Sequence, residues 1–291
     1  MKPGVRVVRG PHWKNGDLDG GVGYLGTVVR ILQNNKVLVR WDIGTETECR
    51  AGTNEAFDLR IYDNAPIGIN HAPVRCDMCA VHENHIQGMR WKCLKCRDFD
   101  QCIQCYYSDK HTKCNLSHSY VLFTTPRSTC VPVLPRRKSK KTKVYGIFPG
   151  ADVIKAIVAP NEEPKVGKVV KLVDLEPDGY RGAVTVRWSR NREDDDDLPV
   201  YRVGAEGKME LKLVTPVSPG HVYLDHLPPL DLTMPMDVIF NPGDEVFVNL
   251  NFEAYKALNV DHHCWSPVLE DVSLIYHFHQ FDKTSLGNRG R

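Results

Sequence analysis

Cys76-Asp77-Met78-Cys79, Cys93-Leu94-Lys95-Cys96 and Cys102-Ile103-Gln104-Cys105, followed by His111 and His118, place three cysteine pairs and two histidines within residues 76–118. Zn²⁺ takes four soft or borderline ligands in a tetrahedron, and a Cys-x2-Cys turn sets two thiolates about one ion without strain, so eight such ligands imply two closed structural sites. A disulfide reading needs an oxidising compartment, and Met1-Lys2-Pro3-Gly4 has none of the character of a cleavable apolar signal. With every coordination position filled by protein, no open position remains for catalysis, and the metal is expected to be scaffold. A unit of this size buries too little apolar surface to fold alone, so metal binding supplies most of its folding free energy.

The residues between the pairs narrow the reading. Ile86, Gly88, Arg90-Trp91-Lys92-Cys93 and Asp98-Phe99-Asp100-Gln101-Cys102 resemble a ZZ-type zinc finger. That resemblance implies a cross-brace in which Cys76, Cys79, Cys102 and Cys105 hold one ion and Cys93, Cys96, His111 and His118 the other. ZZ fingers usually space their two histidines more closely than the six residues between His111 and His118, and Cys114 is a rival to His111. His82 and His85 read as loop residues. Asp77, Asp98 and Asp100 either converge on a cationic group, as some ZZ fingers do with the free amino end of a peptide, or are solvated carboxylates offsetting Arg90, Lys92, Lys95 and Arg97.

Composition bounds the rest. The chain has 291 residues, 42% of them hydrophobic, with 19 prolines, which fits two or three small domains rather than one large enzyme core. A net charge of +2 gives no global attraction to nucleic acid or anionic membrane. No apolar run reaches the roughly 18 residues a spanning helix needs. Cysteines that must stay reduced to hold metal point to a cytoplasmic protein.

Before the cysteine-rich stretch, Val5, Val7 and Val8 read as one strand, and 27–31 and 36–41 as two more joined by a turn at Asn34-Asn35. The glycine-rich stretch 9–23 between the first two strands is a long structured loop, and such loops are usually functional or packed by their own side chains. Together with Phe57-Asp58-Leu59-Arg60-Ile61 these elements are expected to form a small SH3-like barrel. An internal repeat extends the expectation. Val37-Leu38-Val39-Arg40-Trp41 recurs as Val184-Thr185-Val186-Arg187-Trp188, Arg50-Ala51-Gly52 as Arg202-Val203-Gly204, and Asp58-Leu59-Arg60-Ile61 as Glu210-Leu211-Lys212-Leu213. The second copy carries extra residues within 189–198, including the acidic run 194–197, which reads as a solvated loop.

Val5-Arg6-Val7-Val8-Arg9-Gly10-Pro11-x-Trp13, Asp19-Gly20-Gly21, Gly26-Thr27-Val28 and Trp41-Asp42-x-Gly44 resemble the first Mind bomb domain of Mind bomb-type E3 ubiquitin ligases. Gly146-Ile147-Phe148-x-Gly150-Ala151 is similar to the start of that family's second copy, so the resemblance covers about residues 4–230. The fold class it implies is mostly β: two small SH3-like barrels flanking a two-zinc cross-brace ZZ finger, with a short α+β carboxy-terminal segment. The expected units are 1–66 for the first Mind bomb domain, 71–123 for the finger, 124–143 for a basic linker, 144–219 for the second Mind bomb domain, and 236–291 for the start of a repeat region with a divergent tail. The second copy lacks the tryptophan and the Asp-Gly-Gly of the first-copy loop. In that family the region recruits substrate, the cytoplasmic tails of Notch ligands. The resemblance therefore implies a peptide-facing surface at Trp13, Asp17, Asp19 and Trp41. Trp41 also alternates with Val37 and Val39, which equally suits a core position, and Asp17 and Asp19 also suit plain turn residues.

The run Arg136-Arg137-Lys138-Ser139-Lys140-Lys141 lies in a proline-bearing segment and reads as a solvated connector. No base-stacking aromatics interleave with its charges, so no nucleic-acid partner is expected. Residues 216–235, with Pro228-Pro229, read as a second linker. Farther on, 242–250 reads as a strand and 252–258 as a short helix, while His262, His263 and Cys264 are too close in sequence to share one ion. Cys49, Cys130 and Cys264 have no partner pattern, and no nucleophile set or phosphate-cradling loop is present. The family's ankyrin repeats and carboxy-terminal RING fingers are not in this sequence, so the chain is expected to bind substrate without itself transferring ubiquitin, as a truncated or alternative product would.

Overall fold

The computed structural model describes residues 1–79, 85–108, 117–128, 130–158, 163–175, 180–189 and 197–233, and three further strands beyond them. Strands β1 (Arg6–Arg9), β2 (Gly26–Leu32), β3 (Lys36–Trp41), β4 (Glu46–Arg50) and β5 (Leu59–Asp63) form one antiparallel sheet in the order β4-β3-β2-β1-β5. Asn34 and Asn35 both have positive φ, 57° and 51°, within the three-residue turn 33–35 that closes the ladder at Leu32 and Lys36, and asparagine enters that region more readily than most residues. Along β3 the burial alternates residue by residue, so Val37, Val39 and Trp41 enter the core.

Beyond the first sheet come β6 (Asn70–Arg75), β7 (His85–Gln87), β8 (Arg90–Cys93), β9 (Asp100–Cys102), the short helix α1 (Ile103–Tyr107), β10 (Tyr120–Phe123) and β11 (Val131–Val133). Four of these strands make a sheet ordered β11-β10-β8-β9, while β6 and β7 pair separately. Trp91 is fully buried and stacks on Tyr106 at 4.7 Å. Trp91, Ile103 and Tyr106 belong to the same hydrophobic core as Val7, Val39 and Trp41, so the first sheet and the cysteine-rich unit are one folded body.

Then follow β12 (Lys141–Lys143), β13 (Asp152–Lys155), β14 (Gly167–Leu175), β15 (Tyr180–Trp188), β16 (Val200–Arg202), β17 (Leu211–Thr215) and β18 (His221–Tyr223). The sheet β16-β15-β14-β13-β17 repeats the order of the first sheet, down to its irregularities. Gly26 pairs with Trp41 and Gly167 with Trp188, and a Cβ on either glycine would press into the tryptophan ring. Register shifts recur between Val28 and Arg30 and between Val169 and Lys171. The repeated arginines have one job in both copies: Arg50 binds Asp58, and Arg202 binds Glu210, each across a turn opened by a glycine at positive φ, Gly52 or Gly204.

The expected SH3-like barrels are not formed. Both sheets stay open, and β4 and β5 share no ladder, only an isolated bridge between Ala51 and Phe57. The outer edge of β5 is satisfied from elsewhere in the chain. Ile61 N–H donates to Pro228 O at 2.9 Å, Leu230 N–H to Leu59 O at 3.0 Å, and Leu232 N–H to Ala51 O at 2.9 Å. An open edge covered in this way has no need of closure. In the second sheet, Leu213 N–H of β17 donates to Asp42 O at 2.7 Å.

The described residues of both expected linkers are structured parts of this body. Leu227 and Leu230 are core residues, Pro228 offers the carbonyl that β5 needs, and Arg136 is buried. A proline is suited to such an edge because it contributes an acceptor without an unpaired N–H. Strands β12 and β18 pair with each other. Residues 237–291 form a separate unit, in which β19 (Glu245–Val248), β20 (Ser266–Glu270) and β21 (Ser273–His277) make an antiparallel sheet ordered β19-β21-β20. The strand expected within 242–250 is β19, while the expected helix 252–258 and the 262–264 cluster lie outside the described residues. So do His82 and all of the 194–197 run but Asp197.

His226 sits at the seam between this body's parts, its Nδ1 2.8 Å from the Tyr106 hydroxyl and its Nε2 2.7 Å from Ser139 Oγ. Burial holds its imidazole down at about 4. As pH falls below about 6.5 the unfolded chain takes up a proton that the fold refuses, so this stability is complete above the unfolded value and is lost on the way down to the folded one. Melting curves at about pH 7 and about pH 5 should show a smaller loss for His226→Gln than for the unmodified chain, and equal losses would remove His226 from the acid response.

Candidate metal centres and peptide-facing surfaces

The β8–β9 hairpin pairs Arg90 with Cys102, so the second and third cysteine pairs leave it in different directions. Cys102 and Cys105, at the start of α1, meet Cys76 and Cys79 at the turn after β6. Cys93 and Cys96 meet His118 just before β10. In the first cluster Cys79 Sγ lies 3.7 Å from Cys102 Sγ and 3.6 Å from Cys105 Sγ. A disulfide needs about 2.05 Å. A zinc tetrahedron with Zn–S bonds of about 2.3 Å has edges of about 3.8 Å, which is the separation found. In the second cluster His118 Nδ1 lies 3.5 Å from Cys93 Sγ and 3.4 Å from Cys96 Sγ.

Backbone amides already face the sulfurs. Lys95 N–H and Cys96 N–H donate to Cys93 Sγ at 3.4 and 3.3 Å, and Cys102 N–H donates to Cys76 Sγ at 3.4 Å. Such donors stabilise thiolates. The two clusters are therefore suited to structural Zn²⁺. His111 and its rival Cys114 lie outside the described residues. His85, read as a loop residue, belongs to β7 and to neither cluster. Cys49 is buried beneath the first sheet, where burial pushes its thiol up to about 12, so it is no nucleophile at neutral pH.

The three acidic residues of the finger do not act alike. Asp100 is buried, with its carboxylate 2.6 Å from Arg90 Nε, and Asp77 accepts the Asp100 N–H at 2.6 Å. Asp98 is exposed and lies 3.7 Å from Lys92 Nζ. These carboxylates thus have cationic and backbone partners within the finger.

The glycine-rich loop before β2 is built around Arg9. Its guanidinium binds Asp19 and Asp17 and lies 5.6 Å from the Trp13 ring. Trp13 donates its indole N–H to Gly16 O at 2.7 Å and meets Trp41 edge-on at 5.3 Å. Asp19 and Trp41 are wholly buried, so they support the loop instead of facing a ligand. Trp13 remains half-buried and Asp17 exposed. Leu18 and Val22, which sequence reasoning passed over, are 53% and 54% exposed in the same loop. Their lack of periodic neighbours gave no signal of an apolar surface.

A cavity of about 470 Å³ opens where β5, α1 and β15 come together, with Tyr62, Ile103, Tyr107, Ile147, Leu172 and Arg181 among its walls. Arg181 binds Asp63 at 3.2 Å, yet its Nε and the Tyr107 hydroxyl are buried without a hydrogen-bond partner among the described residues. A second depression shares Gln104, Leu172 and Arg181 with it and reaches Cys76, Cys79 and Cys102. Residues this far apart in sequence carried no common motif.

The Mib_herc2 family matches residues 4–63, and the family described as zinc finger, ZZ type, matches residues 70–115. The chain carries the Mind bomb–ZZ architecture. It is 39% identical over 270 residues, 90% of its length, to the E3 ubiquitin-protein ligase mind-bomb of Drosophila melanogaster, and 36% identical over 290 residues, 93% of its length, to the E3 ubiquitin-protein ligase MIB2 of Gallus gallus. The chain spans 21% and 29% of those relatives. A shorter likeness, 40% identity over 64 residues, 22% of this chain and 1% of the relative, is to the E3 ubiquitin-protein ligase HERC2 of Homo sapiens. The Mind bomb domain thus coincides with the first open sheet and its Arg9 loop, and the ZZ finger with the two cysteine clusters. No described helix is long and apolar enough to cross a membrane.

Proposed function

We propose that this chain is the substrate-recognition region of a cytoplasmic RING-type E3 ubiquitin ligase, binding the cytoplasmic tails of Notch ligands for ubiquitination and endocytosis. The observation that carries the reading is the 39% identity to a mind-bomb ligase across 90% of the chain. The units 1–66, 71–123 and 144–219 act together in this reading, with 124–143 as the basic segment between the last two and 236–291 as the start of a repeat region. Trp13, Asp17, Leu18 and Val22 form the peptide-facing surface, with Asp19 and Trp41 beneath them. The cavity beside α1 is a second contact, where the Tyr107 hydroxyl and Arg181 Nε lack acceptors among the described residues and peptide carbonyls supply them. Two zinc ions, one on Cys76, Cys79, Cys102 and Cys105 and one on Cys93, Cys96, His111 and His118, hold the frame.

Calorimetric titration of the zinc-loaded chain with Delta- and Jagged-type tail peptides tests this. Trp13→Ala is expected to weaken binding at least tenfold, about 1.4 kcal/mol, measured well below a melting midpoint that itself falls with loss of the Trp13–Trp41 contact. No binding by the unmodified chain would reject the reading. A stand-alone reader of peptide amino termini through Asp77, Asp98 and Asp100, or a non-catalytic adaptor competing with the full ligase, is the second reading. Exposed Asp98 favours the reader form, and acetylating the peptide amino end would then abolish binding. Zinc content distinguishes the ligands of the second site: His111→Ala should lose one ion, and Cys114→Ala should keep both.

A further inference from the structure

The basic run does not behave as a connector. Arg136 is buried, its guanidinium lying 4.2 Å from the Tyr106 ring and 4.7 Å from the Tyr120 ring, with one nitrogen 3.1 Å from Gln101 Oε1. Three residues on, Ser139 Oγ meets His226 Nε2 at 2.7 Å, and His226 Nδ1 meets the Tyr106 hydroxyl at 2.8 Å. Beyond Ser139 the chain is held by the three residue pairs of the β12–β18 ladder. Residues 136–143 are thus a strap across α1, latched at Arg136, at Ser139 and by one short ladder. Arg137, Lys138 and Lys140 point outward and take no part in the latch. Ser139 is half-buried at its rim.

The spacing of these charges has a chemical meaning that a connector does not need. Two arginines stand three and two residues before the Ser139 hydroxyl, Arg136-Arg137-Lys138-Ser139. Guanidinium pairs at that distance from a hydroxyl suit the acid-lined peptide groove of a basophilic kinase, which engages Arg136 in the minor population whose strap has opened. We propose that Ser139 is a phosphorylation site for a basophilic serine kinase acting on the transiently open strap and that the phosphoryl group keeps the strap from relatching on α1. In the transfer Ser139 Oγ bonds to the γ-phosphorus of ATP, the bond to the β-phosphate oxygen breaks, ADP leaves, and the hydroxyl proton passes through the kinase's base to water. The product has no Oγ–H to share with His226. It also places about −1.5 to −2 charges against a seam built of Tyr106, Tyr223 and His226 rings. The exposed Lys138 and Lys140 offer that phosphate a better partner outside, so the strap and its Arg136 swing away from the aromatic slot.

The test uses the full zinc-loaded chain with ATP and the catalytic subunit of cyclic-AMP-dependent kinase. Peptide mapping by mass should find the phosphoryl group on Ser139 and none there in Ser139→Ala. Limited trypsin digestion should then cut after Arg136 and Arg137 roughly tenfold faster in the phosphorylated chain, because cleavage follows the open population. Ser139→Ala incubated with the kinase should keep the slow rate and the full zinc content, which separates the effect of phosphate from loss of one hydrogen bond. Labelling elsewhere with none on Ser139 overturns the site. Labelling of Ser139 with an unchanged trypsin rate overturns the release.

Discussion

Removing zinc with a strong chelator at neutral pH should unfold far more than the finger. The second cluster is embedded in the main core: Cys93 is buried beside Trp91, and Trp91, Ile103 and Tyr106 share that core with Val7, Val39 and Trp41 of the Mind bomb domain. Structural zinc contributes about 10–16 kcal/mol of apparent folding free energy in small metal-dependent units, comparable to or larger than the whole stability of a typical domain. The unmodified chain is expected to hold two ions by elemental analysis and to lose its cooperative melt on chelation. Cys102→Ser should retain a single ion, because the two clusters share no ligand. A chelated chain that still melts cooperatively at the original midpoint would show that the thiol clusters are not metal-dependent.

Asp42→Ala should be the most damaging substitution away from the metal. Asp42 is completely buried and takes both forks of Arg6, at 2.7 and 2.8 Å, while its second oxygen also accepts Ile147 N–H at 2.9 Å. Its backbone carbonyl accepts Leu213 N–H at 2.7 Å, so one residue joins the first sheet, the segment before β13, and β17. Truncation strands the Arg6 charge in a dry site, which costs about 3–5 kcal/mol when one partner of a buried pair is removed. Replacing both, Arg6→Met with Asp42→Leu, should recover much of that loss because no charge is left unpaired. Denaturant titration separates the cases. Equal midpoints for Asp42→Ala and the unmodified chain would mean that water reaches Arg6.

What the sequence made legible was chemistry with a fixed local spacing. The cysteine pairs announced their turns, Asn34-Asn35 announced a hairpin, and the recurrence of Arg50-Ala51-Gly52 at Arg202 announced a second copy of the first unit, expected as a barrel and found as an open sheet of the same strand order. Of the four loop residues expected to face a peptide, Trp13 and Asp17 reach the surface, whereas Asp19 and Trp41 serve the inside of the same loop. Closure of the sheets was misjudged because it depends on the partner of an edge. Nothing local to Leu59 or Ile61 says that Pro228 and Leu230 will take that place. Arg136 was misread for a similar reason. In a run of six basic residues in eight, positions 136–143, every charge looks solvated, and only the spatial arrival of Tyr106 and Tyr120 singles one out for burial.

The covering of β5 by residues 228–232 also sets an order on the making of the protein. The first sheet is synthesised early, but the backbone groups that satisfy its edge arrive about 170 residues later. Until then Leu59 O and Ile61 N–H face solvent along an unpaired strand, the kind of surface that recruits other chains. A nascent chain stalled after the zinc finger, or a fragment cut at the end of the second sheet, therefore carries an adhesive rim that the longer chain has sealed.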